Sequence, residues 1–133
     1  RGGLEATRIA ARGAQRTTTT AIVPRTFEAL APNRGFLGGF TRVETLQPGF
    51  KISRFGGRGG RFASPAGTPF EKRGLFPELK KTAPFEEFEV IHPFDVNAGI
   101  ADFVAGGGGG IQFEFSRSVQ SLIDAGFLRP IVR

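Results

Sequence analysis

Lys51-Ile-Ser-Arg-Phe-Gly-Gly-Arg-Gly-Gly-Arg-Phe-Ala-Ser-Pro-Ala-Gly-Thr-Pro-Phe-Glu-Lys-Arg73 brings arginines, glycines and evenly spaced phenylalanines into one segment. Arginine forks bind phosphate oxygens through two parallel hydrogen bonds, and aromatic faces stack on planar rings. A second glycine stretch, Gly106-Gly-Gly-Gly-Gly-Ile-Gln-Phe-Glu-Phe115, runs into an alternating strand. A dinucleotide offers both kinds of target, so the two segments together predict the halves of one nucleotide site.

Composition limits the architecture around these segments. The chain has 133 residues, enough for one small domain, and 15 phenylalanines must dominate its core because Trp, Tyr and Met are absent. The lack of cysteine excludes a disulfide framework, and a single histidine, His92, leaves too few ligands for an ordinary zinc site. No apolar run is long enough to cross a bilayer. The chain starts with Arg and nothing in it resembles a signal peptide, so we expect a piece of a longer polypeptide. The lack of cysteine and of Asn-X-Ser/Thr glycosylation sequons favours a bacterial origin.

The positive charge is unevenly distributed. The net charge is +6, but residues 1–26 carry five arginines and one glutamate, so the rest of the chain is nearly balanced. A weak helix is predicted over Leu4–Gln15, and Thr17–Thr20 is typical of a linker. We therefore predict an N-terminal extension over residues 1–30 and one domain over residues 31–133.

The domain pattern favours short strands joined by glycine and proline turns. Strands are predicted over Phe40–Leu46, Phe50–Phe55, Arg61–Ala63, Phe85–Val96, Ile111–Phe115 and Phe127–Val132. Ser116 is predicted to cap a helix whose apolar stripe is Val119, Leu122 and Ile123, and Gly126 to end it. The expected fold class is α+β, mainly β: a central antiparallel or mixed sheet with one or two short helices.

A few residues are candidates for chemistry, and each has a plainer interpretation. Arg54 and Arg73 could bind a pyrophosphate, or they could be ordinary ion-paired arginines. Phe62 could stack on a ring of the ligand, although a strand phenylalanine usually belongs to the core. Gln112 and Glu114 lie on one side of their strand, where their oxygens could stabilise an oxocarbenium-like state, or they could simply face solvent.

Four quoted stretches together resemble a known family. They are Thr45-Leu-Gln-Pro-Gly-Phe-Lys-Ile-Ser-Arg-Phe-Gly-Gly, Gly60-Arg-Phe-Ala-Ser-Pro-Ala-Gly-Thr-Pro-Phe-Glu-Lys-Arg73, Phe88-Glu-Val and Gly107-Gly-Gly-Gly-Ile-Gln-Phe. In order and spacing they are similar to the tuberculosis necrotizing toxin family of NAD glycohydrolases, to which fungal surface NADases are related. The resemblance covers roughly three-quarters of the chain, and the ending Leu122-Ile-Asp-Ala-Gly-Phe-Leu-Arg also resembles that family.

The resemblance implies hydrolysis of NAD or NADP to nicotinamide and the ADP-ribose product, in an ADP-ribosyltransferase-like cleft, with no metal and no cofactor. It implies secretion or delivery by a bacterial secretion system into the cytoplasm of a target cell, without membrane insertion by this domain, and a cognate immunity protein as partner. Gln112 and Arg54 are the expected catalytic residues. Further substrate contacts are expected from Arg73, Phe62, Phe55, Glu114 and Gly109. Phe62 stands where the family usually has a tyrosine or another aromatic residue.

Two alternatives stay open from the sequence. An ADP-ribosyltransferase would pass the ribosyl group to an acceptor, with Glu114 as the activating carboxylate. A nucleic-acid-binding or nuclease domain is suggested by the Arg-Gly-Gly triplets, but the nearly balanced charge of the domain and the lone histidine argue against it.

Overall fold

The computed structural model describes residues 32–132 as a sheet with a few short helical segments. Seven strands are present: β1 (Arg42–Leu46), β2 (Lys51–Phe55), β3 (Phe62–Pro65), β4 (Phe85–Val90), β5 (Phe94–Ile100), β6 (Ile111–Glu114) and β7 (Leu128–Pro130). Two short α-helices are α1 (Leu79–Thr82) and α2 (Val119–Asp124), and 3-10 turns cover Pro32–Gly35, Leu37–Gly39 and Phe70–Lys72. The predicted extension and its helix over Leu4–Gln15 lie outside the described residues.

All seven strands join in one sheet in the order β1-β5-β6-β3-β2-β4-β7, and every strand pair is antiparallel. The prediction of an α+β domain that is mainly β is confirmed. Two details of the prediction are wrong. The stretch Phe85–Val96 is two strands rather than one, because the chain leaves the sheet at Ile91–Pro93 before β5 begins. The third strand starts at Phe62 and continues to Pro65.

The register places the hydrophobic core on one face of the sheet. Ile52 lies opposite Phe88, and Phe113 lies opposite both Ala63 and Ala98. These residues form one buried cluster together with Val119 and Leu122 of α2, so the helix covers this face. Because side chains alternate along a strand, the intervening residues of β2, β3 and β6 face the other way. Most residues of the candidate site lie on that opposite face, here called the site face. Arg54 is the exception, because it has the alternation of Ile52 and stands at the end of β2.

Helix α2 is fixed at both ends. The predicted cap, Ser116, is wrong by two residues: the Ser118 hydroxyl accepts the hydrogen bond from the Ser121 N–H at 3.1 Å. The first N–H groups of a helix have no partner inside it. Here the Val119 N–H donates to the carbonyl of Gly60, in the loop between β2 and β3, at 2.9 Å. The predicted stop is confirmed, because Gly126 follows the helix with φ of +86°, a conformation that favours glycine. The helix therefore anchors the glycine loop between β2 and β3.

Candidate active site

One small cavity on the site face brings together most of the residues singled out by sequence. It measures about 30 Å³ and is lined by Arg54, Phe55, Phe62, Ala63, Ser64, Arg73, Leu75 and Gln112. Five of the seven expected site residues are in this lining, and they come from strands β2, β3 and β6 and from the segment after β3. None of the lining residues is an aspartate or a glutamate, whereas two are buried arginines. The lining therefore carries two basic side chains and no carboxylate.

Arg54 stands at the end of β2 with only 6% of its surface exposed. Its guanidinium donates from Nε to the Gly57 carbonyl at 2.7 Å and from Nη1 to the Phe62 carbonyl at 2.8 Å. These two bonds hold the guanidinium flat against the loop that follows its own strand. Two hydrogen bonds to two different backbone carbonyls fix the position of the guanidinium.

Gly56 and Gly60, the first and last glycines of the loop after β2, are explained by this arginine. A Cβ built on Gly60 would lie 1.8 Å from Nη2 of Arg54, and one on Gly56 would lie 2.7 Å from the same atom. Gly56 also has φ of +137°. Gly56 and Gly60 thus leave room for the Arg54 guanidinium, and we call these two residues the glycine collar. The Arg-Gly-Gly triplet contributes Gly60 to this collar, and Arg58 in the same triplet is paired with Glu86 at 2.6 Å.

Arg73 is buried against Ser53 of β2, with 5% of its surface exposed. Nη1 and Nη2 donate to the carbonyl and hydroxyl of Ser53, at 3.1 and 2.6 Å, and Nε and Nη2 both donate to the Thr68 carbonyl. Its guanidinium carbon lies 4.9 Å from the Phe55 ring centroid. Burial lowers the pKa of Arg73 to about 10, and nearby Glu87 opposes that shift. Arg73 therefore stays a cation at neutral pH, held mainly by protein atoms.

Gln112 lies in the middle of β6 and is 8% exposed. Its side-chain Nε2 donates to the Gly35 carbonyl at 3.2 Å, in a segment 77 residues away in the sequence. A carbonyl can only accept, so the amide nitrogen must face Gly35 and the amide oxygen is left for other contacts. The interpretation of this residue as a solvated surface glutamine is wrong.

Glu114 shares the face of Gln112, as the alternation predicts, but it is not among the cavity residues. Arg34 Nε donates to one of its oxygens at 2.9 Å and Asn97 Nδ2 to the other at 3.3 Å. Its side chain is 17% exposed. Glu114 is thus occupied by two protein partners beside the cavity. Its expected contact with substrate stays a prediction.

The second glycine stretch has a packing function in this structure. The amides of Gly107, Gly108, Gly109 and Gly110 donate to the carbonyls of Val104, Glu71, Ala101 and Lys72. A Cβ on Gly110 would lie 2.8 Å from the Lys72 carbonyl oxygen, and one on Gly108 would lie 2.5 Å from that of Asp102. Glycine is needed because two backbones meet there. Gly109 is exposed and is not among the cavity residues, so its contact with substrate also stays a prediction.

The remaining described residues offer little competing chemistry. Across residues 32–132, no group of three or more His, Cys, Asp or Glu side chains could hold a metal ion. His92 is exposed in the bend between β4 and β5 and is not among the residues that line the cavity. No helix within the same range is long and apolar enough to cross a membrane. The sequence missed the participation of Gly35, because nothing in its local pattern signals a contact with β6.

The chain belongs to the tuberculosis necrotizing toxin family, whose model matches residues 45–131. The match includes every residue that lines the cavity. A curated relative, the conidial surface nicotinamide adenine dinucleotide glycohydrolase of Aspergillus fumigatus, is 36% identical over 94 residues. That alignment covers 65% of this chain and 40% of the relative, so the chain spans about two fifths of the relative's length.

Two solved structures share the fold. One is tuberculosis necrotizing toxin in complex with its immunity factor, with a TM-score of 0.59 and 24% identity over 74% of this chain and 59% of that chain. The other is Tse6 in complex with Tsi6, with a TM-score of 0.51 and 19% identity over 85% of this chain and 86% of that one. The likeness of both structures to this chain is one of fold.

Proposed function

We propose that this chain is an NAD⁺ or NADP⁺ glycohydrolase, which hydrolyses the bond between nicotinamide and ribose. The proposal is carried by one observation: Gln112, Arg54, Arg73 and Phe62 line the same cavity. Membership of the toxin family and the similarity to a fungal enzyme named as an NAD glycohydrolase support the same activity. No cofactor is needed, because NAD itself is the substrate.

The two buried arginines are proposed to attract the pyrophosphate mainly by their positive charge, since their N–H groups already donate to protein oxygens. Arg73 already uses four donor contacts on Ser53 and Thr68. Inside a protein the attraction between a fixed cation and a phosphate is stronger than in water, because the surroundings screen it less. Their positions cost nothing to organise when the substrate arrives, since the protein already holds both guanidiniums.

Gln112 is proposed to act on the reacting ribose. Its amide cannot serve as a general base, but its oxygen can stabilise positive charge and orient water. The bond from C1′ of the ribose to the nicotinamide nitrogen breaks with its electron pair leaving on nicotinamide, which departs neutral. Water adds to C1′ of the oxocarbenium-like state and releases a proton to solvent. Positioning and charge stabilisation are sufficient because the leaving group is a good one.

A transferase reaction is less well supported. An acceptor-activating carboxylate would have to reach the ribose, and Glu114 is instead bound to Arg34 and Asn97. A nucleic-acid function is also disfavoured by charge, since residues 32–132 contain 12 basic and 10 acidic side chains. Arg58 of the Arg-Gly-Gly triplet is neutralised by Glu86.

The biological setting is proposed from the same family. One of the two structures named above is a toxin in complex with its immunity factor, and the other is likewise a complex of two proteins. We propose that this domain is likewise delivered to a target cell, depletes NAD there, and is blocked by a cognate immunity protein in the producing cell.

The test is incubation of the purified chain with NAD, followed by quantification of nicotinamide and ADP-ribose. Equal release of both products without any added acceptor is expected. Release of nicotinamide only when a protein or nucleic acid is added, with ADP-ribose found on that acceptor, would establish the transferase instead. Retention on RNA at physiological salt with no turnover of NAD would refute the glycohydrolase proposal.

A further inference from the structure

The segment Arg34–Phe36, here called the clamp segment, crosses the site face and contacts both polar residues of β6. The Gly35 carbonyl accepts from Gln112 Nε2 at 3.2 Å, and Arg34 Nε donates to Glu114 at 2.9 Å. These contacts join residues about 80 positions apart in the sequence. The clamp segment precedes the part of the chain that the family model covers.

The clamp segment is held in place from several sides. Phe36 is fully buried, makes an antiparallel bridge with Ala101, and places its ring centroid 6.2 Å from that of Phe62. The Gly35 carbonyl also accepts from the Asp102 N–H at 2.8 Å. A Cβ on Gly99 would lie 2.7 Å from Cδ1 of Phe36, so the absence of a side chain there makes room for the ring.

The backbone of the clamp segment is also strained. Arg34 has φ of +55° and Gly35 has φ of +83°. A non-glycine residue in the left-handed region is costly and persists where the surroundings enforce it. Here the enforced conformation turns the Gly35 carbonyl toward Gln112. The cost is offset by the ion pair with Glu114 and by burial of Phe36.

We propose that the clamp segment is a positioning device for Gln112, with the Gly35 carbonyl as the positioning atom. An amide side chain has two nearly isosteric orientations that exchange oxygen and nitrogen. Only one of them presents an oxygen to developing positive charge. By accepting a hydrogen bond from Nε2, Gly35 selects that orientation. This inference rests on the proposed function of Gln112, and it assigns to Glu114 the positioning role of holding Arg34.

The main test is Arg34→Ala, with Arg42→Ala as its matched control. Both arginines are exposed and both pair with a glutamate, but the Arg42–Glu44 pair lies on the edge strand β1. We expect Arg34→Ala to lower kcat about three- to tenfold, the scale of one lost orienting hydrogen bond, with KM changed less than twofold. Arg42→Ala should leave both values unchanged. Arg34→Lys should restore most of kcat, because a lysine can still donate to Glu114.

A second measurement reports the orientation of the amide without reference to activity. In ¹⁵N-labelled protein, the Gln112 side-chain NH₂ signal should show restricted motion, and the restriction should be lost in Arg34→Ala and kept in Arg42→Ala. Gly99→Ala should produce the same loss by displacing Phe36, whereas Gly59→Ala, where a Cβ meets no atom within 4 Å, should not. If Gly99→Ala does not fold, the comparison of Arg34→Ala with Arg42→Ala is the deciding measurement.

The outcomes separate the two proposals. If wild type releases no nicotinamide but the Gln112 signal responds to Arg34→Ala as expected, the proposed function fails and the positioning contact stands. If Gln112→Ala abolishes turnover while Arg34→Ala matches Arg42→Ala in kcat and in the amide signal, the positioning proposal is wrong. A rise in kcat in Arg34→Ala would also overturn it, because the clamp segment would then be a closing element that hinders the substrate.

Discussion

Gly60→Ala tests whether the glycine collar exists to hold Arg54. The new Cβ would lie 1.8 Å from Nη2 and 2.2 Å from Cζ of Arg54, which no contact between real atoms allows. Gly60 is not in the left-handed region, so the substitution adds a clash without backbone strain. The guanidinium must therefore leave its place, although its charge remains in the protein.

The magnitude follows from the contacts that Arg54 loses. Its bonds to the carbonyls of Gly57 and Phe62 are hydrogen bonds from a charged donor, each worth about 1.5–3 kcal/mol. A displaced guanidinium regains part of this in water, so we expect a loss of about 2–4 kcal/mol in the free energy of unfolding. Catalytic efficiency on NAD should fall about tenfold or more, because the charge moves away from the pyrophosphate.

Urea denaturation and nicotinamide release measure the two effects. Gly59→Ala is the control, since its Cβ would meet nothing within 4 Å and the same loop is altered. The control should stay within about 0.5 kcal/mol of wild type and keep its turnover. If Gly60→Ala and Gly59→Ala are equally stable and equally active, the collar does not position Arg54 and the reasoning is refuted.

Three further predictions concern the charges and the extension. Arg54→Lys should lose most of kcat/KM, because a point charge cannot reproduce the two bonds of the guanidinium; a Lys variant as active as wild type would contradict this. Glu114→Gln should keep turnover within about threefold, since the amide oxygen can still accept from Arg34, and a loss as deep as that of Gln112→Ala would contradict it. Deletion of residues 1–20 should leave NAD hydrolysis intact in a protein with unchanged Tm; lost activity in a folded truncation would show that the extension completes the site.

Local sequence patterns predicted the strands and the longer helix, and the errors concern where these elements begin and end. The alternation at Ile111–Glu114 gave both the strand and the shared face of its two polar residues, because the side-chain period of a strand is two. The helix cap was predicted at the wrong serine. Ser116 and Ser118 both carry a hydroxyl that can cap a helix, and only the geometry of the turn shows that Ser118 does so. The bend at Ile91–Pro93 was overlooked because apolar residues continue on both sides of it.

The contacts that build the candidate active site join residues that are distant in the sequence, so local patterns could not predict them. The resemblance named Gln112 and Arg54, but the role of the collar glycines became visible only when the Arg54 guanidinium was placed inside the loop. The contact from Gly35 to Gln112 joins distant parts of the chain, and a backbone carbonyl has no sequence signature. Glu114 was a candidate for a substrate contact because its two protein partners, Arg34 and Asn97, lie 80 and 17 residues away and no local pattern pairs them with it.

The central claim is that Gln112 acts on the bond between nicotinamide and ribose. The most direct measurement compares nicotinamide release from NAD by wild type, Gln112→Ala and Gln47→Ala, the last a glutamine exposed in the turn after β1. Loss of one preorganised polar contact costs about 3 kcal/mol, so Gln112→Ala should lower kcat about a hundredfold with a small change in KM. Gln47→Ala should match wild type. A loss below threefold in a Gln112→Ala protein of unchanged Tm would contradict the claim.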